Sequence, residues 1–257
     1  MSALIENRSS PELEGKNVLG SFTILATEIM YAGGMGAQLY TGEVQEAADV
    51  VGLRVLGRVA QKVDNTLDGL SCLIEAGVFQ YDNSSSNPLS RLNLGQVCYV
   101  ETDQCVASTS TYLIAAGLVF DVDANGVWVD QRPAAMAEAR RLAQTLVVAN
   151  TATTYAILAT HCFQGNVCVT HDAASIITAT LPTAVPGYRI GAQRISATAA
   201  HDNTITANTS DTIRGGSAGG NISNTVDAIS GILWLYASNA ANWIDDTPLA
   251  ADRGSWA

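Results

Sequence analysis

Residues 121–130 read DVDANGVWVD and place Asp121, Asp123 and Asn125 at the first, third and fifth positions of a loop, with Gly126 at the sixth. That is the front half of a calcium-binding loop. Calcium needs six to eight oxygens, and such a loop supplies a bidentate Glu at its twelfth position. Here the twelfth position is Arg132, followed by Pro133, and a cation in the ligand place removes the site. The flanks, Gly117–Val122 and Val127–Val129, are β-branched and aromatic, which suits strands better than helices. The segment is therefore read as a hairpin whose tip, Ala124-Asn125-Gly126, supplies the positive backbone angles of a tight turn.

Other chemistry is weighed in the same way. His161, Cys162, Cys168 and His171 have the residue types of a zinc site. The spacing predicts a hairpin around Gln164-Gly165, on which neighbours alternate faces and only one pair converges on each side. That is too few for a closed structural site. Gly33-Gly34-Met35-Gly36 lacks the spacing of a phosphate cradle and reads as a turn, as does Gly215-Gly216-Ser217-Ala218-Gly219, where no G-x-S-x-G elbow occurs. His161, His171 and His201 all fall in the second half, with no nucleophile motif to serve. Asp245-Asp246 reads as a solvated turn. Trp234, Tyr236 and Trp243 form either a sugar-stacking platform or part of a core.

The elements that must position these groups are strands. Apolar residues make up 47% of the 257 residues and charged ones 14%, with Gly, Ser, Thr, Asn and Ala abundant. The net charge is -11, shared by both halves, so nucleic acid would be repelled. No segment has the basic start and apolar core of a signal peptide, and no apolar run is long enough to span a bilayer. The expectation is a protein made in the cytoplasm, with no membrane partner. Five cysteines without an export signal predict buried thiols.

The expected fold is all-β. Residues 1–20 are a polar N-terminal arm, expected to order against a neighbouring subunit, with Leu4, Ile5, Val18, Leu19 and Phe22 as its anchoring contacts. Residues 21–131 alternate short strands with turns and predict a small β-barrel. Residues 132–148 carry a helical pattern that starts at Pro133, with Met136, Leu142 and Leu146 on one face. This helix either links two domains or packs on the first. Residues 149–257 return to strands and predict a second, sandwich-like or barrel-like β domain.

Three stretches then resemble, in order, the small β-barrel decoration or cement proteins of tailed bacteriophage capsids. They are GRVAQKVDNTLDGLSCLIEAGVFQY, GQVCYVETDQCVA and AAGLVFDVDANGVWV, between residues 57 and 129. The second half resembles a β-rich virion-surface module through Thr180-Leu181-Pro182 with Gly187, a hairpin over 203–216, and Trp234 to Ile244. The chain continues well past the GVWV strand, after which the simplest cement proteins end. The resemblance implies a structural virion protein on the outer capsid surface. It would bind the major capsid protein, assemble with itself as a trimer, and need neither cofactor nor catalytic residues. The alternative is a tail or baseplate adhesin whose second domain binds host-surface glycans; a soluble hydrolase using His161 or His171 is the third reading.

Overall fold

In the computed structural model the described residues are 12–150, 152, 154–171, 177–194, 203–214, 217–224 and 232–245, and the chain falls into two units, Met1–Gln144 and Thr145–Ala257. The class is all-β, with two α-helices among the described residues. No helix among the described residues is long and apolar enough to cross a membrane.

The first unit contains β1 (Glu12–Thr23), β2 (Ile29–Met30), β3 (Met35–Leu39), β4 (Val44–Glu46), β5 (Leu53–Val59), β6 (Val63–Asp64), β7 (Ser71–Asn83), β8 (Val97–Thr102), β9 (Cys105–Ala107), β10 (Ala115–Asp123), β11 (Gly126–Asp130) and α1 (Pro133–Leu142). β7 is its spine. The end of β7 pairs with both β11 and β9, so the order β11-β10-β8-β9-β7 closes into a five-stranded barrel. Closure removes the open edges that a flat sheet of this size would expose. Alternation turns Phe79 and Tyr81 of β7, Cys98 and Val100 of β8, Val106 of β9, and Val127 and Val129 of β11 into one core. The start of β7 pairs with β1 and β5 instead and covers a smaller core of Ile24, Met30, Val44, Val59, Cys72 and Ile74.

A buried polar chain ties the barrel shut. The Tyr81 hydroxyl donates to Gln131 Oε1 at 2.8 Å, and Gln131 Nε2 donates to the Ala116 carbonyl at 3.0 Å. Tyr81→Phe removes the one donor to that buried oxygen among the described residues, and a buried acceptor left without a partner costs about 1–3 kcal/mol. The expected result is a stability lowered by that amount, read as a lower urea midpoint at an unchanged slope.

Several expectations are corrected here. Residues 12–20, assigned to an arm ordered against a neighbouring subunit, belong to β1, which runs antiparallel to β7 of the same chain from Glu12 opposite Phe79 to Thr23 opposite Ser71. The polar composition of the whole segment hid the strand pattern of Asn17–Thr23. At the β10–β11 turn only Gly126 has a positive φ, +150°, while Asn125 does not. The tip is instead closed by Asp123, whose Oδ1 accepts from the Asn125 and Gly126 amides at 2.7 and 3.2 Å. α1 ends at Leu142, and Leu146, expected on its apolar face, lies in a strand. Met136 and Ala139 bury against the barrel, α1 packs on β10 and β8, and Arg140 Nη2 donates to the Val55 carbonyl at 2.7 Å. The helix is thus part of the first unit.

The second unit contains β12 (Leu146–Asn150), β13 (Thr154–Ala156), α2 (Ala159–Gln164), β14 (Val167–His171), β15 (Ile177–Thr180), β16 (Arg189–Arg194), β17 (Asn203–Thr206), β18 (Thr212–Ile213), β19 (Asn221–Asn224), β20 (Leu233–Asn239) and β21 (Asn242–Asp245). Two sheets face each other over one core: Val167, Val169, Ile190, Ala192 and Leu235 come from one, and Ala179, Ile205 and Ile222 from the other. The connectivity differs from the expected hairpins. The chain visits the two sheets alternately, so that β12, β14 and β16 are parallel neighbours in one and β13, β15 and β17 in the other. Val147, Cys168 and Gly191 stack in one column and Tyr155, Ala179 and Ile205 in another. This is a short coil in which each turn buries the face of the last. The coil is closed by strands that reverse direction, β20 against β16 and β19 against β17. The hairpin expected over 203–216 is not formed, because β17 and β18 lie in different sheets. The one expected around Gln164-Gly165 is replaced by α2, which Gly165 terminates in the left-handed region at φ 86°.

Candidate interaction surface

The residues singled out for metal chemistry are occupied with structural work. Asp123 Oδ2 accepts from Trp128 Nε1 at 2.8 Å, Gln80 Nε2 donates to the same carboxylate, and Arg91 pairs with Asp121 at 3.3 Å. The Trp128 hydrogen bond, followed by the Asn125 and Gly126 amides, holds the Asp123 carboxyl below its ordinary range. His161 and Cys162 lie on α2, and Cys168 on β14. Cys162 sits in the core, and burial pushes the His161 imidazole down. Among the described residues no group of three His, Cys, Asp or Glu is placed to hold a metal ion. Burial raises the thiols, Cys72 to about 11 and Cys98, Cys105 and Cys168 to about 12, so they remain protonated and poorly nucleophilic near neutrality. His201 and Asp246 lie outside the described residues.

Of the expected contact residues, Leu4 and Ile5 also lie outside the described residues. Val18 and Leu19 are exposed on β1, at 58% and 39%. Phe22 is half-buried and packs against the core around Ile24 and Ile74, so it serves its own chain. Val18 and Leu19 gain company that sequence reasoning missed. Leu73, in the β1–β7 ladder opposite Ser21, is exposed, and so are Leu70 and Leu67 in the turn that leads into β7. The signal was available: a leucine on each side of Asp68-Gly69 is out of character for a solvated turn. β1 itself has, among the described residues, a named strand partner on one side only. It is the kind of edge to which another chain's strand adds.

The aromatic trio divides. Trp243 is 0% exposed and belongs to the core of the second unit, so it does not join a platform. Trp234 and Tyr236, both half-buried, share the opposite face of β20. Trp234 lies beside Gly191, where a Cβ would come within 3.1 Å of its ring, and the Arg189 guanidinium stacks over that ring at 4.0 Å.

An acidic group gives the first unit a pH dependence. Glu46 is only partly buried, with Asp103 and Glu28 nearby, and its amide donates to Glu28 Oε1 at 3.2 Å. Burial first, then the charges of Asp103 and Glu28, raise the Glu46 carboxyl from 4.5 to about 7. A carboxyl raised on folding binds its proton more tightly in the folded state. Its stabilising contribution is complete below about 4.5 and is lost as pH rises through 7. The denaturation midpoint is therefore expected to fall from pH 5 to pH 8, and Glu46→Gln to flatten that slope. An unchanged slope in the variant would assign the dependence to other groups.

A polar cleft of about 420 Å³ lies among Asp49, Asn87, Glu101 and Ser110. Asp49 is engaged in holding the neighbouring loop, accepting from the Thr111 and Tyr112 amides at 2.7 and 2.8 Å. Comparison of the chain with protein-family models, with curated proteins and with solved structures finds no match.

Proposed function

We propose that the protein is a structural virion component that binds the outside of a bacteriophage capsid and cements neighbouring major capsid subunits, without catalysing a reaction. The observation that carries this reading is where the three resembling segments fall. Leu73–Tyr81 lies within β7, Gly95–Val106 overlaps β8 and β9, and Ala116–Val129 overlaps β10 and β11, the strands of the closed barrel. Segments scattered over unrelated elements would have given the resemblance no common structure. The net charge of -11 adds support, since an acidic protein is repelled by packaged DNA and favours the outside of a shell. A protein that binds only the assembled shell opposes its rupture by mass action. Trimeric assembly is part of the proposal.

Purified protein is expected to co-sediment with empty shells of its cognate capsid protein and to saturate at a fixed ratio. Protein that stays in the supernatant at every concentration would overturn the reading.

A second reading, an adhesin whose second unit binds host-surface glycans, is supported by Trp234, Tyr236 and Arg189 on one outer sheet face. Glycan binding by the second unit, lost in Trp234→Ala and combined with no affinity for shells, would favour it.

A further inference from the structure

The turn from Asn65 to Leu70 displays a leucine at 95% exposure, yet it is held as firmly as an element of the core. Asn65 is fully buried, its Nδ2 donating to the Ile24 and Leu25 carbonyls at 3.0 and 3.1 Å while its Oδ1 accepts from the Leu70 amide at 2.8 Å. Its backbone bonds to Thr27, Glu28 and Asp68. Asp64 Oδ1 accepts from the Thr66 amide, and Asp68 Oδ1 from the Gly69 amide. Asp68 itself sits at φ 63°, a left-handed conformation that a non-glycine residue adopts at a cost. A rigid, strained turn that presents Leu67 to solvent is preorganised for insertion, because little conformational freedom remains to be lost on binding.

We propose that Leu67 is the anchor by which the first unit seats in an apolar pocket rimmed by Lys or Arg side chains on a capsid subunit, with Leu70 and Leu73 continuing the contact. The charge of the turn selects this partner. From Val63 to Ser71 the chain carries Asp64 and Asp68, while the preceding cation, Lys62, lies over the Tyr31 ring at 5.0 Å. Acidic rims attract a basic surface and repel a second copy of the same acidic turn, so self-assembly would use another surface. The inference rests on the proposed capsid binding.

Its test uses the full chain with empty shells and three proteins: wild type, Leu67→Ser, and Asp64→Asn/Asp68→Asn. Leu67→Ser removes no described contact and is expected to leave the melting temperature unchanged while weakening shell binding tenfold or more. The double charge variant, which keeps both carbonyl acceptors, is expected to lose most of the salt dependence of binding. Equal binding by wild type and Leu67→Ser would overturn the anchor and leave the capsid reading standing; no binding by wild type would overturn the capsid reading itself. A wild-type oligomer that dissociates in Leu67→Ser would assign the leucine to self-association and overturn the choice of partner.

Discussion

Glu75→Ala is expected to cost the first unit about 3–5 kcal/mol, the loss seen when one partner of a buried ion pair is removed. Glu75 Oε2 and Arg58 Nη2 are 2.8 Å apart with side chains 7% and 9% exposed, and the Arg58 guanidinium lies over the Phe79 ring at 4.1 Å. The pair joins β5 to the middle of β7, where Arg58 and Glu75 are direct cross-strand partners. Small domains are stable by only about 5–15 kcal/mol, so this single change removes a large share of the total. Guanidinium titration, or exchange of the barrel amides, would read the loss. Replacing both residues by apolar ones of similar volume, Arg58→Met with Glu75→Leu, is expected to recover most of it, because the charges oppose their own burial. A Glu75→Ala cost under about 1 kcal/mol would mean that the pair behaves as a surface bridge.

Gly126→Ala is expected to be nearly as severe, at about 3 kcal/mol, the upper part of the range for forcing an extra methyl group into a packed site. Its φ is +150°, and a Cβ placed there would stand 2.2 Å from the Tyr81 carbonyl oxygen, which cannot rotate away. Accommodation requires β11 to move off β7, at the seam that closes the barrel. Gly42 provides the control, with φ +96° and nothing within 4 Å of its would-be Cβ. Gly42→Ala carries the left-handed penalty alone, about 1–2 kcal/mol. Similar losses at the two glycines would show that the close approach to Tyr81 carries no energetic weight.

The all-β class was legible because its signals are local. Alternation in Val127-Trp128-Val129, turn residues at Asn125-Gly126, and Pro133 opening a helix each express a preference of a few adjacent residues. What was not legible depends on direction and on distant partners. Alternation reports which face a residue occupies, but the parallel coil of β12, β14 and β16 has the same alternation as a set of hairpins. Thr-His-Cys-Phe near Gly165 passed for strand because β-branched and aromatic residues favour sheets, whereas packing of Cys162 and Phe163 into the core holds them in α2. The candidate surface was half legible. Val18 and Leu19 were found as apolar residues in a polar segment. Leu67 and Leu70 carry only the weak signal of leucines flanking Asp68-Gly69, because sequence does not report that Asn65 buries its side chain and leaves Leu67 exposed.

The measurement that bears most directly on the cementing role is the temperature at which cognate shells rupture, recorded by calorimetry with and without saturating protein. A cementing role predicts a rupture temperature that rises with occupancy and levels off at saturation, with little or no rise for Leu67→Ser at the same concentration. Shells that carry bound protein yet break at the same temperature as bare ones would contradict it.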